Sequence, residues 1–228
     1  MAKKENIVEE VAAETPIIEA QVEITPIAQT ELLPKQLELG ALYQAIKEGQ
    51  PYDTPNYVLG KIQERILQWN NVRGNFEYDA LAEADMYKSE IDEGDLAIAL
   101  FEEAVSDSDK CKYKCEEIDS WCDRYVFFVG TLAKSALDEA PLSGELVTYY
   151  EEFKQIPQIV KDLGFDFVQC MNETLLEIES RKQDPEQVIR WEAQGGSLGE
   201  KWQKWREQPE ETLYKADYKS SKIGECCK

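Results

Sequence analysis

Two pairs of acidic residues, spaced to share one face of a helix, are the clearest chemical feature of this sequence. Glu90 and Glu93 are three positions apart, and Asp119 and Asp123 are four apart, each pair in a stretch with helical apolar periodicity. Residues at these spacings lie on the same side of an α-helix, so two such helices packed together would gather four carboxylates. Carboxylate oxygens are ligands that Mg²⁺ prefers, and a divalent cation would offset their mutual repulsion. The spacing therefore predicts a Mg²⁺ site that handles phosphate groups, with Mn²⁺ as a second candidate ion.

Helical periodicity continues along most of the chain, and strand patterns are rare. We therefore expect an all-α protein, a helical bundle whose facing helices build the metal site between them. Residues 1–34 are predicted to form a flexible acidic tail, and residues 35–183 a helical catalytic domain. Residues 184–228 are predicted to be an irregular C-terminal extension rich in Trp, Lys and Tyr.

Apolar spacing and helix-breaking residues predict the individual helices. The first is short and ends at Gly49. The second is predicted to begin at Thr54-Pro55, where a capping residue precedes Pro at the first helical position, and to end near Gly74. Further helices are predicted over about 78–101, 110–137, 143–161 with an interruption at Pro157, and 165–182.

Composition limits the chemistry that this chain can perform. Its 228 residues include 46 acidic and 25 basic side chains, for a formal net charge of −21, and no histidine. The lack of histidine excludes His-based catalytic triads and His-containing zinc and di-iron sites. The charge disfavours binding to nucleic acid and to anionic membranes. Since neither a signal peptide nor a membrane span is evident, we expect a cytoplasmic protein whose six cysteines are reduced.

The acidic motifs and their neighbours resemble a known family, the MazG-like all-α nucleoside triphosphate pyrophosphohydrolases, and especially its phage-type members. One signature is the Met86–Glu93 run, and a second runs from Glu116 to Ala133 and contains the two aspartates and the Gly130-Thr131 pair. The remaining segments that carry the resemblance are Gln68-Trp69, Arg73-Gly74, Leu163–Asp166, Met171–Glu173, Glu177–Lys182 and Leu213–Tyr218.

The resemblance covers roughly residues 57–137 and 161–220. It implies hydrolysis of a nucleoside or deoxynucleoside triphosphate to the monophosphate and pyrophosphate, with Mg²⁺, in the control of a nucleotide pool. It also implies a homo-oligomer, a dimer or tetramer, because helices of this family usually complete their bundle with a second subunit. If the chain is encoded by a phage, the expected location is the cytoplasm of the host.

The expected metal ligands are Glu90, Glu93, Asp119 and Asp123, with Glu116 as a further candidate. A bound divalent ion lowers the pKa of a coordinated water, and a nearby carboxylate can then take its proton. Glu90 is the candidate for this general base.

Several other side chains are candidates for binding the substrate. Lys88, Arg181, Lys182 and Lys215 could bind phosphate oxygens, as charged donors do in many phosphate sites. Trp69, or an aromatic side chain of the C-terminal stretch, could stack on the base. The family pattern also has an Asn near its last helix, and Asn172 is the nearest amide in this sequence.

The sequence departs from the family pattern in four places. Ser89 stands where the first motif often has glutamate, and Ser120 stands where the second motif often has it, so that Glu116, one turn earlier, becomes the substitute. Glu179 stands at the position of the usual Asn. The segment of about 141–160 is predicted to be an insertion relative to the family pattern.

Two alternatives remain open. In a chain this acidic, pairs at helical spacing also arise on solvated helix faces, so the protein could be a non-catalytic acidic interaction protein that binds a basic partner. Cys111, Cys115 and Cys122 follow a helical stripe, which indicates core packing, and a Cys-ligated zinc site with Cys170 or with Cys226 and Cys227 is the less favoured interpretation.

Overall fold

A computed structural model describes residues 31–53, 55–181 and 213–223. The all-α class is confirmed, because the described ranges contain helices and a single isolated antiparallel bridge, Phe165 with Lys222, but no strand. None of the described helices is both long and apolar enough to cross a membrane. The helices are α1 (Pro34–Glu48), α2 (Val58–Val72), α3 (Ala80–Glu103), α4 (Asp107–Leu137), α5 (Glu145–Phe153), α6 (Ile156–Asp162) and α7 (Phe167–Ser180).

The long helix α4 forms the centre of the bundle and contacts each of the other six helices. Its middle turns are buried on several sides, as expected for a helix that is apolar around most of its circumference. Phe128, Val129 and Leu132 have no exposed surface, and each such side chain contributes roughly 1.5–3 kcal/mol through burial. This helix carries both aspartates, so the site is built on the most firmly held element.

The second helix begins later than predicted. It starts at Val58 rather than at Thr54-Pro55, and Thr54 itself lies outside the described residues. Tyr57 occupies the cap position with an extended backbone, and its hydroxyl donates a hydrogen bond to Glu38 of α1. The predicted start is therefore wrong. The contact with Glu38 ties the extended Tyr57 to α1 just before the helix begins. The other predicted helix ends agree with the observed ones to within two or three residues.

The segment predicted as an insertion forms α5 and α6. The break between them comes just before Pro157, which stands in the first turn of α6, where its missing N–H costs little. The apolar side chains of this segment belong to the core: Leu142, Leu146, Phe153, Ile156 and Val160 are at most 5% exposed. The segment is therefore part of the fold, while its status as an insertion in the family pattern stays a prediction.

Helices α3 and α4 approach each other closely at Gly94. A Cβ atom at Gly94 would lie 2.6 Å from Ser120 Oγ and 2.7 Å from Arg124 Nη2. The Ser120 hydroxyl donates a hydrogen bond to the backbone oxygen of Glu90, and Arg124 Nη2 lies 3.4 Å from the same oxygen. These contacts fix the register of the two helices and so place the first acidic pair opposite the second.

The close approach leads to a first prediction. We expect Gly94→Ala to lower the free energy of unfolding by about 1–3 kcal/mol, because the added methyl group must force α3 and α4 apart. The gain in helix propensity, up to about 1 kcal/mol, acts in the opposite direction. Urea denaturation measures the difference. Asp95→Ala, at the exposed neighbouring position, is the control and should change stability by less than about 0.5 kcal/mol. A Gly94→Ala protein as stable as the wild type would contradict this account.

Candidate functional site

The described structure brings the two acidic pairs within electrostatic reach of each other. Asp119 and Asp123 lie on either side of Ser120 on α4, whose hydroxyl contacts the backbone of Glu90 on α3. The negative charge of Glu93 acts on Asp119, and that of Glu90 acts on Asp123. One glutamate of α3 therefore lies near enough to each aspartate of α4 for its charge to act on it.

Asp119 titrates far from its ordinary range. It keeps some accessible surface, but protein atoms surround its carboxyl group on most sides, and this burial raises its pKa to about 6. The negative charges of Glu177 and Glu93 act in the same direction. A hydrogen bond from Tyr218 and the positive charge of Arg181 act in the opposite direction.

Asp123 is affected in the same way. Burial raises the pKa of its carboxyl group well above the ordinary value, and the charges of Asp119, Glu90 and Glu177 raise it further, while Arg181 lowers it. The side chain is half-buried. Two adjacent acids on one helix are thus held where their ionised forms repel each other.

A fifth carboxylate, from Glu177 of α7, completes this group. Its Oε1 accepts a hydrogen bond from Arg181 Nη2 at 2.8 Å, and its Oε2 accepts one from the backbone N–H of Ala216 at 2.9 Å. We call Glu90, Glu93, Asp119, Asp123 and Glu177 the acidic cluster. Sequence reasoning placed Glu177 in a family motif but not in the site. The signal was present, because Glu173 and Glu177 form a third acidic pair at helical spacing.

Two predicted site residues of α3 and α4 are exposed. Glu116 stands three positions before Asp119, so the two share a face of α4, and it forms an ion pair with Lys112 at 3.5 Å. Lys88 stands two positions before Glu90, so it points to a different side of α3. The roles of Glu116 as a metal ligand and of Lys88 in substrate binding stay predictions.

Among the candidates for substrate binding, only Arg181 is linked to the cluster by the contacts described above. Trp69 Nε1 donates to the Ile178 backbone oxygen at 2.9 Å, and the Arg73 guanidinium lies 3.6 Å from the centre of its ring. Asn172 Oδ1 accepts a hydrogen bond from Arg65 at 3.2 Å on the outer side of α7.

Two further lysines, Lys182 and Lys215, were predicted to bind phosphate oxygens. Lys215 is exposed and directly precedes Ala216, which contacts the cluster. Lys182 lies outside the described residues, as do the N-terminal tail to residue 30, the Trp-rich stretch up to residue 212 and the two last cysteines.

The altered motif positions have structural roles. Ser120 is buried and bonds to α3, and a longer glutamate side chain would not fit beside Gly94 at this distance. Ser89 is exposed and bonds to the backbone oxygen of Met86 at 2.7 Å. Glu179 accepts two hydrogen bonds from Arg65, at 3.0 and 2.9 Å, which join α7 to α2.

The donor set of the cluster fits a hard divalent cation. Its donors are carboxylate oxygens, and a cation between them would relieve the repulsion that raises the pKa values of Asp119 and Asp123. Within the described ranges, no three acidic or cysteine side chains converge closely enough to form a cage around one ion. Mg²⁺ does not require such a cage, since it is usually held by one or two carboxylates, waters and substrate phosphates.

The described cysteines belong mostly to the core. Cys122 and Cys170 are fully buried, and Cys111 and Cys115 are half-buried. Lys222 Nζ lies 2.9 Å from Cys111 Sγ. This arrangement agrees with the predicted helical stripe of small core residues.

Comparison of the chain with protein-family models, curated proteins and solved structures finds no match. The geometry of the acidic cluster and the sequence motifs are therefore the observations from which a function can be inferred.

The raised pKa values predict how the stability of the metal-free protein depends on pH. An acid whose pKa is higher in the folded than in the unfolded state stabilises the fold below about pH 4, and this contribution is lost as the pH rises through about 6. In the presence of EDTA, we expect the free energy of unfolding to fall over this range by about 1–3 kcal/mol more in the wild type than in Asp119→Asn.

Glu102→Gln, which removes an exposed charge on α3, controls for the general effect of net charge and should keep the wild-type slope. Denaturant unfolding at a series of pH values provides the measurement. Equal slopes for the wild type and Asp119→Asn would contradict a raised pKa of Asp119 in the folded protein.

Proposed function

We propose that this protein is a Mg²⁺-dependent hydrolase that converts a nucleoside or deoxynucleoside triphosphate to the monophosphate and pyrophosphate, and so controls a nucleotide pool. The observation that carries the proposal is the close approach of α3 to α4 beside Asp119 and Asp123, where the Ser120 hydroxyl bonds to the Glu90 backbone and negative charges from α3, α4 and α7 act on the two aspartates. An acidic surface that only solubilises a protein keeps its carboxylates apart and hydrated.

Three residues of the acidic cluster have a role in the proposed reaction. When bound, Mg²⁺ supplies charge neutralisation at the phosphates and an acidic water. Asp119 and Asp123, both on the central helix α4, would hold the cation with one or both carboxylates. Glu90 Oε would accept the proton of the attacking water, as a carboxylate can when it lies beside that water. The hydrogen bond from Ser120 to the Glu90 backbone oxygen holds the backbone of this base against α4.

Positive charge beside the cluster supports the binding of an anionic substrate. Arg181 contacts Glu177, and it is close enough to Arg73 that its charge, together with the larger effect of burial, lowers the pKa of Arg73 to about 8. Trp69 lies between Arg73 and the end of α7. The Arg73 guanidinium stacks on the Trp69 ring, and the Trp69 indole N–H donates to the backbone oxygen of Ile178, three positions before Arg181. An anionic triphosphate would compensate these neighbouring guanidinium groups.

We also propose a homo-oligomer, a dimer or tetramer, in the cytoplasm. This proposal rests on the resemblance of the acidic motifs, since the exposed apolar side chains on α3 and just after it do not share one face of the helix. They are Leu81, Leu96, Ile98 and Val105, between 39% and 96% exposed.

The direct test is product analysis with a panel of nucleoside and deoxynucleoside triphosphates. With Mg²⁺ present, we expect free phosphate to appear only after inorganic pyrophosphatase is added, because the initial product is pyrophosphate. Glu90→Gln and Asp123→Asn should each lower kcat/KM by about 100-fold or more, as expected for loss of a catalytic base or a metal ligand. The exposed Glu102→Gln is the matched control and should retain activity.

Two results would contradict the proposal. One is the absence of hydrolysis of every triphosphate in the panel, and the other is hydrolysis that survives both cluster variants. A different result would favour the alternative, a non-catalytic acidic protein that binds a basic partner. In that case the wild type and the two cluster variants would retain the same basic protein from an extract equally well, and added salt would release it.

A further inference from the structure

The C-terminal segment of residues 213–223 returns to the acidic cluster although it is far from α4 in sequence. One end is held by the turn before α7, where the Asp166 N–H donates to the Ser221 oxygen and the Ile223 N–H donates to the Gly164 oxygen, both at 2.8 Å. Backbone hydrogen bonds of this kind do not depend on the side chains of the segment. They bring the 3₁₀ turn Tyr218–Ser221 against α7.

The middle of the segment is held by carboxylates of α7. The Ala216 N–H donates to Glu177, and the Asp217 N–H donates to Glu173, each at 2.9 Å. The segment is therefore anchored on both sides of Tyr218 by contacts that do not involve the Tyr218 hydroxyl.

Tyr218 points from this segment into the cluster. It is 5% exposed, and its hydroxyl oxygen lies 2.6 Å from Asp119 Oδ1 and 2.9 Å from Thr174 Oγ1. An ionised carboxylate can only accept hydrogen bonds, so the Tyr218 O–H donates to Asp119. Its lone pairs can then accept the single proton of the Thr174 hydroxyl, for which the Cys170 backbone oxygen, 3.0 Å away, is the alternative acceptor.

We propose that Tyr218 is a positioning residue of the metal site: its hydroxyl holds Oδ1 of Asp119 and leaves Oδ2 for a divalent cation. This inference rests on the proposed function, because it assigns a partner to one of its metal ligands. Hydrogen bonds to the outer side of a metal ligand fix the orientation of that ligand, and their loss typically costs 10- to 100-fold in metal affinity.

The proposal also gives the C-terminal segment a function. Through Tyr218 the segment contacts Asp119, and through Ala216 it contacts Glu177, so it supplies hydrogen bonds to two carboxylates of the cluster that come from different helices. The site is then built from α3, α4 and α7 together with residues almost 100 positions after Asp119. A protein lacking this segment would keep the acidic cluster but not the constraint on its central ligand.

The test measures Mn²⁺ binding to the full-length metal-free protein, with electron paramagnetic resonance reporting the free ion. We expect Tyr218→Phe, which keeps the buried ring and removes only the hydroxyl, to raise the Mn²⁺ Kd by about 10-fold or more. Tyr214→Phe is the matched control. It removes a hydroxyl from the same segment, one that bonds to Glu173 at 2.5 Å, and it should change the Kd by less than about 2-fold.

A second comparison separates positioning from a general loss of structure. In an Asp119→Asn background, Tyr218→Phe should have little further effect on Mn²⁺ binding, because the two residues act through one hydrogen bond. An equal Kd for the wild type and Tyr218→Phe would overturn the proposal, and so would an undiminished effect in the Asp119→Asn background. If Tyr218→Phe fails to fold, Thr174→Val gives the same comparison, and it should weaken Mn²⁺ binding in the same direction.

Activity assays show whether a failure belongs to this inference or to the proposed function. If the wild type hydrolyses triphosphates and Tyr218→Phe binds Mn²⁺ as tightly, the inference is overturned and the function stands. If the wild type hydrolyses nothing but Tyr218→Phe weakens Mn²⁺ binding in the way described, the inference stands and the function fails. A wild type that binds no Mn²⁺ overturns the inference. In an active enzyme, raising the Mg²⁺ concentration should restore most of the kcat of Tyr218→Phe, which a purely structural defect would not allow.

Discussion

Repulsion between partly buried carboxylates of α3, α4 and α7 is the constraint on which this structure depends. Asp119 and Asp123 are adjacent on one face of α4, and burial and neighbouring negative charges raise the pKa of each carboxyl group. Such an arrangement opposes folding in the metal-free protein. The positive charge of Arg181 acts against this repulsion and lowers the pKa of both aspartates. A bound divalent cation would convert this repulsion into attraction, and the proposed phosphate chemistry follows from that change.

The rest of the fold supplies the rigidity that keeps the charges together. The middle of α4 is buried by every other helix, and its aromatic side chains interlock with those of α5 and α7, for example Tyr125 with Phe153 at 4.8 Å and with Phe167 at 5.1 Å between ring centres. A buried ion pair between Lys134 and Glu83 joins the C-terminal end of α4 to the N-terminal end of α3. The segment that resembled an insertion takes part in this core, so it too contributes to holding the site.

Sequence patterns predicted the parts of this structure that depend on neighbours along one helix. Periodicity predicted the helices, and the spacing of Glu90 with Glu93 and of Asp119 with Asp123 predicted that each pair shares one face of its helix. Features that depend on contacts between distant segments were not predictable in this way. The start of α2 is set by the bond of Tyr57 to α1, and Glu177 and Tyr218 reach Asp119 only through the docking of α7 and the C-terminal segment.

Diffraction at the manganese absorption edge, from crystals of the full-length protein soaked in Mn²⁺, tests the central claim most directly. The account predicts an anomalous difference peak within coordination distance of Asp119 or Asp123, on the side of α4 that faces Glu90. It also predicts that the peak is lost in crystals of Asp123→Asn. Peaks confined to exposed carboxylates elsewhere on this acidic surface, with none at the two aspartates, would contradict it.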